Sequence, residues 1–190
     1  MLRSLVGSEM CIRDRYDAWN SDTFFSLTKA FELPTNNQIK TFSRGMRMKA
    51  ALTIALSHDA KLLILDEATA GMDVSGREHV LEILEDYLGD DRAILISSHI
   101  SEDIEQLATQ LVFMRDGRII LKESKEVLLS QYGIIDQPVE HFNISNEYLI
   151  ATRRRNDRQI SLVNNYQKVP DAQPLKTIDD ATKIIMRGEV

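Results

Sequence analysis

Apolar and polar residues along this chain form two kinds of pattern, short apolar runs and repeats at helical spacing. The runs at 61–66 and 93–97 are bounded by polar residues, which predicts two buried strands. Apolar positions that recur every three or four residues predict helices over 17–31, 43–56, 75–88, 101–108 and 124–132. Strands that alternate with helices are typical of an α/β domain with a largely parallel sheet.

Polar residues at the ends of these segments predict where elements begin and turn. Ser43 and Thr177 are suited to cap helices, and Ser75 begins a sequence of capping-box form, Ser-Gly-Arg-Glu. Asp116 and Gly117 separate two apolar runs, which predicts a hairpin with a tight turn.

Past residue 132 the α/β pattern weakens. Short strands are expected over 139–150 and 159–163, followed by a last helix. We therefore place a domain boundary near Gly133 and treat 133–190 as a small C-terminal extension.

Residues 1–15 look foreign to the rest of the chain. Residues 4–14 read SLVGSEMCIRD, which resembles the translation of a sequencing adapter. We expect that residues 1–15 are a non-native leader and that the domain covers 16–132. The genuine protein would then begin upstream of Tyr16, and its upstream part would be missing. A real, poorly ordered N-terminus is the alternative.

Composition narrows the function classes. The chain has 23 Lys and Arg against 29 Asp and Glu, a net charge of −6, which argues against a nucleic-acid partner because such proteins usually carry a basic excess. Its one cysteine, Cys11, rules out an internal disulfide and favours a reducing compartment. No apolar run approaches the ~18–20 residues of a membrane-spanning helix.

Candidate chemistry lies where the two predicted strands end. Asp66 and Glu67 follow the first strand, and His99 follows the second. In open α/β sheets ligands bind outside the carboxyl ends of the strands, so these side chains are expected to face one crevice. Asp66 is suited to hold Mg²⁺, and Glu67 to orient or deprotonate a water that attacks a phosphoryl group. A strand that ends in two solvated acids is the plainer alternative.

A second candidate is the start of the helix at 43–56. Ser43 offers a hydroxyl and Gly45 allows close approach of the backbone, so this helix N-terminus is suited to bind phosphate oxygens. An ordinary capped helix is the alternative.

The order of these motifs resembles that of the nucleotide-binding subunit of ATP-binding-cassette (ABC) transporters. Residues 43–46, Ser-Arg-Gly-Met, stand where the family has Ser-Gly-Gly-Gln, with arginine and methionine in place of the first glycine and the glutamine. Residues 62–66 resemble the Walker B strand, and 70–73 resemble the D-loop. The family's switch histidine has its counterpart in His99.

This resemblance implies a set of site residues and a fold. The catalytic residues would be Glu67 and His99, and Asp66 would be the metal ligand. The nucleotide-binding residues would be Ser43, Arg44, Gly45, Met46, Asp66 and Asp73. The fold would be α/β and P-loop NTPase-like, a partial parallel sheet with helices on its faces. A helical subdomain would cover 16–57 and a catalytic core 58–132.

Two motifs of the family are absent from this sequence. The phosphate cradle G-x-x-x-x-G-K-[ST] does not occur, because no glycine precedes a Lys-Ser or Lys-Thr pair in this chain. The family's glutamine loop is also missing. We expect truncation rather than evolutionary loss, and expect the chain alone to be inactive.

The resemblance also implies cofactors and partners. The cofactors are ATP and Mg²⁺. The partners are a second ABC ATPase subunit, packed head to tail, and a separate integral-membrane permease through which export occurs. The subunit itself would lie at the cytoplasmic side of the membrane. Two alternatives remain: a non-catalytic partner that lends only its signature face, and an ABC-type ATPase head of a DNA-maintenance protein. The second requires long heptad arms, and no sustained heptad repeat is present.

Overall fold

The computed structural model describes residues 4–189, which fall into two compact units divided between Asp103 and Ile104. The first unit holds four helices and two strands: α1 (Leu5–Arg13), α2 (Ser21–Ala30), α3 (Arg44–Leu56), β1 (Leu62–Asp66), α4 (Val74–Tyr87) and β2 (Ala93–Ser97). Helix α5 (Ser101–Leu107) crosses the division. The remaining elements belong to the second unit: β3 (Gln110–Arg115), β4 (Arg118–Ser124), α6 (Lys125–Gln131), β5 (Gly133–Pro138), β6 (Leu149–Arg155), β7 (Arg158–Val163), β8 (Gln173–Pro174) and α7 (Ile178–Arg187). The predicted α/β class is confirmed.

The helices of the first unit follow the sequence pattern closely. Ser43 caps α3 as predicted, since its hydroxyl accepts the Met46 N–H at 3.2 Å. Helix α2 starts later than predicted, at Ser21, because the Asn20 side chain accepts the Thr23 N–H and caps the helix there. Helix α2 packs on α3 and buries Phe24 completely.

Strands β1 and β2 pair in parallel, with Leu63 opposite Ile94 and Asp66 opposite Ser97. The prediction that both strands are buried is wrong for one face. Leu63 is 4% exposed, whereas Ile64 is 70% exposed and Leu95 59% exposed. A strand with apolar residues on both faces is fully buried only if other elements pack on both. Among the described residues, only the face that contains Leu63 is packed against other elements.

The second unit begins with the predicted hairpin. Strands β3 and β4 are antiparallel, and Asp116 and Gly117 join them with φ of 51° and 73°. Positive φ at both central positions defines the type I′ turn, whose twist matches that of the flanking strands.

A four-stranded antiparallel sheet in the order β6-β7-β5-β8 completes this unit. Helix α7 packs on β6 and β7, and Thr177 caps it as predicted by accepting the Asp180 N–H. The predicted strand over 139–150 is wrong. Residues Val139–His141 form a 3₁₀ turn, strand β6 starts only at Leu149, and β5 ends at Pro138. The pairing of β5 with β7 spans about twenty-five residues, and local periodicity does not report such a contact.

The expected domain limits stay predictions. Within the expected leader, α1 buries Leu5, and the Glu9 carboxylate accepts hydrogen bonds from Trp19 Nε1 at 2.9 Å and Ser21 Oγ at 2.8 Å. The first three residues of that leader lie outside the described part. The expected boundary near Gly133 lies inside the second compact unit.

None of the helices formed by residues 4–189 combines the length and the apolar character that a bilayer span needs.

Candidate functional site

The parallel pairing of β1 and β2 brings the candidate residues to one edge of the sheet. Asp66 and Ser97 are the last residues of their strands and stand opposite each other. The Ser97 hydroxyl donates to Asp66 Oδ1 at 2.5 Å. Both side chains are exposed, so this edge of the sheet is open to a ligand.

Glu67 follows Asp66 in the left-handed conformation, with φ of 53°. This conformation costs a residue other than glycine about 1–2 kcal/mol, and such strain persists where surrounding contacts fix it. Here the Glu67 N–H donates to the Ser97 carbonyl at 3.1 Å, and the Ala70 N–H donates to the Glu67 carbonyl at 2.9 Å. These two backbone hydrogen bonds hold Glu67 in the left-handed conformation.

The Glu67 carboxylate contacts the imidazole of His99. Glu67 Oε2 lies 2.5 Å from His99 Nδ1, and the two side chains are 37% and 69% exposed. When Nδ1 carries a proton it donates to the carboxylate, which leaves Nε2 on the outer side of the ring. The structure therefore brings Asp66, Glu67 and His99 together, as the sequence predicted.

The residues at 43–46 lie at the start of α3 and not in this hydrogen-bonded group. The Ser43 hydroxyl is exposed and accepts only its own helix's Met46 N–H among the described contacts. The side chain of Arg44 lies against Gly71, where an added Cβ would come within 3.0 Å of Arg44 Cδ. The start of α3 thus packs on the loop that follows Glu67.

Gly45 is not required by crowding inside this chain. An added Cβ there would meet the Gly71 carbonyl oxygen at 3.4 Å, an ordinary van der Waals contact. The expected role of Gly45, to let phosphate oxygens approach the backbone, stays a prediction.

Asp73 has a structural role that the sequence pattern did not assign to it. Its Oδ1 accepts the Gly76 N–H at 3.1 Å and so caps α4, whereas Ser75 was predicted to cap this helix. A Cβ on Gly76 would come within 2.6 Å of the same oxygen, so this cap depends on glycine at 76. One oxygen of Asp73 is committed to the helix, and the residue is otherwise exposed.

Few side chains at this edge of the sheet could bind a metal ion. Residues 4–189 contain no group of three or more His, Cys, Asp or Glu side chains placed to hold an ion. Asp66 with its Ser97 neighbour nonetheless fits Mg²⁺, which binds one or two protein oxygens and keeps waters and phosphates as its other ligands.

Sequence reasoning missed a buried carboxylate behind this edge. Asp103 is 0% exposed and accepts hydrogen bonds from Thr69 and Ser98, which flank Glu67 and His99 in sequence. An acid in the first turn of α5, four residues after His99, is the one sequence signal that marks it.

Comparisons with known proteins show what this chain is similar to. Residues 8–70 match the family model described as ABC transporter. The lantibiotic transport ATP-binding protein SrtF of Streptococcus pyogenes is 37% identical over 116 residues, which cover 61% of this chain and 47% of that protein. The ABC transporter ATP-binding protein NatA of Bacillus subtilis is 32% identical over 93 residues, which cover 49% of this chain and 38% of that protein.

Solved structures share the fold. An ATP-binding subunit of an ABC transporter superposes with a TM-score of 0.59 at 22% identity, over 66% of this chain and 54% of that chain. A dimeric ATP-binding cassette in a post-hydrolysis state with ADP and Pi gives 0.56 at 18% identity, over 65% and 57%.

The chain spans less than half the length of these curated relatives. In its motif order, in the family-model match over residues 8–70 and in its fold, the chain is similar to the ATP-binding subunits of ABC transporters.

Proposed function

We propose that this chain forms part of the ATP-binding subunit of a transporter and carries part of its ATP-hydrolysing site. The contact between Glu67 and His99, at the edge where Asp66 ends its strand, supports this proposal most strongly. A carboxylate and an imidazole held together beside a Mg²⁺-compatible acid are suited to phosphoryl transfer to water.

Each residue at the edge has a separate task in this proposal. Glu67 orients the attacking water and accepts its proton, and His99 holds the Glu67 carboxylate through Nδ1 while its outer nitrogen faces the ligand. Asp66, oriented by the Ser97 hydroxyl, is the protein ligand for Mg²⁺. When bound, Mg²⁺ neutralises charge that develops on the phosphate oxygens.

The start of α3 is proposed to bind the triphosphate held by a second subunit. Free N–H groups at a helix N-terminus attract anions, and Ser43 adds an exposed hydroxyl. A Cβ on Gly45 would just contact the Gly71 carbonyl oxygen at 3.4 Å, and glycine leaves the backbone there open to an incoming phosphate. Arg44, Met46 and the free oxygen of Asp73 complete the proposed nucleotide-facing surface.

The proposed partners follow from the family. They are ATP, a second ABC ATPase subunit packed head to tail, and an integral-membrane permease that holds this subunit at the cytoplasmic side of the membrane. Several relatives are named for lantibiotic transport, linearmycin resistance and Nod factor export, which supports export as the direction.

The test compares the purified 190-residue chain with a chimera that places the N-terminal half of the SrtF relative before Tyr16. We expect no ATP turnover from the chain alone, and turnover from the chimera. Glu67→Gln in the chimera is expected to lower turnover by about 10²-fold or more while ATP binding persists, since removal of a general base has that size of effect. Glu82→Gln, an exposed acid on α4, is the matched control.

Three results would count against the proposal. An inactive chimera would show that these residues do not support ATP hydrolysis even beside a phosphate cradle. Turnover by the chain alone would show that the edge needs no phosphate cradle. Full turnover in the Glu67→Gln chimera would favour the non-catalytic partner, which contributes only its signature face.

A further inference from the structure

Asp103 is a carboxylate placed entirely out of solvent. It lies in the first turn of α5 and is 0% exposed. A buried carboxylate is costly unless other groups compensate its charge and fill its hydrogen-bonding positions. Its partners therefore indicate what this residue is for.

Those partners come from three separate segments. Asp103 Oδ2 accepts hydrogen bonds from Thr69 Oγ1 at 2.5 Å and from Ser98 Oγ at 3.2 Å. Asp103 Oδ1 lies 3.3 Å from Arg77 Nε on α4, an ion pair whose atoms are not aligned as a hydrogen bond. The Ser98 hydroxyl in turn accepts the Ile100 N–H at 3.0 Å.

Two of these segments carry the proposed catalytic groups. Thr69 follows Glu67 by two residues and is 2% exposed, and Ser98 immediately precedes His99. The hydrogen-bonded pairing of β1 with β2 ends at Asp66 and Ser97. Glu67 lies one residue beyond the end of β1, and His99 lies two residues beyond the end of β2. Beyond this pairing, the Asp103 carboxylate joins the two loops a second time.

We propose that Asp103 is a positioning residue that holds Glu67 and His99 in contact by fixing the loops that carry them. The proposal rests on the proposed function for its catalytic meaning, but the contact itself can be measured without ATP. Thr69 and Ser98 transmit the constraint, and Arg77 compensates the charge of the buried carboxylate.

The test is ¹⁵N NMR of the His99 ring nitrogens in the full chain, since a hydrogen bond from Nδ1 to Glu67 gives that nitrogen a distinct shift. Glu67→Gln defines the signal of His99 without its carboxylate partner. Asp103→Asn is expected to move the His99 signal towards that reference. Asp86→Asn, an exposed acid on α4, is the matched control and is expected to leave the signal unchanged.

A second pair of variants covers the case in which Asp103→Asn fails to fold. Thr69→Val keeps the shape of the side chain and removes its hydroxyl. It is therefore expected to move the His99 signal in the same direction as Asp103→Asn does. Thr69→Ser restores a hydroxyl and is expected to restore the wild-type signal. The other three histidines, at positions 58, 79 and 141, serve as internal references because they lie outside these loops.

The outcomes separate this proposal from the proposed function. An unchanged His99 signal in folded Asp103→Asn or Thr69→Val would overturn the positioning role, whatever the chimera does with ATP. An inactive chimera with the expected His99 shifts would leave the positioning role standing and refute the catalytic one. If Glu67→Gln itself leaves His99 unchanged, the contact is absent in solution and the positioning role falls.

Discussion

Neighbouring residues of β1 are expected to respond very differently to truncation. Leu63 is 4% exposed, and Leu63→Ala removes three carbons worth about 0.8 kcal/mol each on burial, to which the cavity adds further cost. We expect a loss of about 2–5 kcal/mol in the free energy of unfolding. Ile64 is 70% exposed, so less than a third of its surface leaves water on folding. Ile64→Ala is therefore expected to cost about 0.7 kcal/mol in burial, with a small added loss of strand propensity.

Urea unfolding of the two variants, monitored through the fluorescence of Trp19, measures this difference. Trp19 is the chain's single tryptophan and lies in the same compact unit as β1, so its signal reports the unfolding of that unit. The slope of free energy against urea is expected to be shared, with the midpoint falling mainly in Leu63→Ala. Equal losses in both variants would refute the reasoning, because they would show that the Ile64 face is covered in solution.

Asp73→Ala is expected to cost about 1 kcal/mol in urea unfolding because Asp73 caps α4, whereas Ser75→Ala stays within about 0.5 kcal/mol; the reverse order would assign the cap to Ser75. Glu67→Gly is expected to be about 0.5–1 kcal/mol more stable than Glu67→Ala, since glycine avoids the left-handed cost of about 1–2 kcal/mol but loses about 0.5–1 kcal/mol in chain entropy; equal urea midpoints would contradict this. Burial, with the nearby Glu123 carboxylate, raises the pKa of the Tyr132 hydroxyl above 10.0, so the folded state holds this proton more tightly than the unfolded state. Stability that is complete below about pH 10 is then lost as pH rises through the folded-state pKa. Tyr132→Phe is expected to lose less stability than wild type over that alkaline range when unfolding is followed by circular dichroism, and parallel losses would show that other groups dominate.

Local signals in the sequence predicted local structure well. Ser43 and Thr177 cap the helices that they were expected to cap, and Asp116 with Gly117 forms the expected turn. Each of these features involves atoms within a few residues of one another. Their energies are therefore set by neighbours along the chain, which a sequence pattern records directly.

The misses involve choices between nearby alternatives or partners far away in sequence. Asp73 and Ser75 both resemble caps, and the close fit of Asp73 Oδ1 over Gly76 decided between them. Strand β5 depends on β7 for its hydrogen bonds, so no local pattern marked it. The apolar runs of β1 and β2 indicated strands correctly, but they did not report that Ile64 and Leu95 are exposed among the described residues.

The same division holds at the candidate site. The sequence by itself determined which groups are available, because two acids end one strand and a histidine ends the next. Only the tertiary structure decided that Glu67 contacts His99 and that Asp103 joins their loops from a buried position. Parallel pairing sets which strand ends share an edge, whereas the direction of a side chain past the end of a strand depends on loop dihedrals and buried hydrogen bonds. Those contacts join residues more than thirty positions apart, and their energy exists only once the chain has folded.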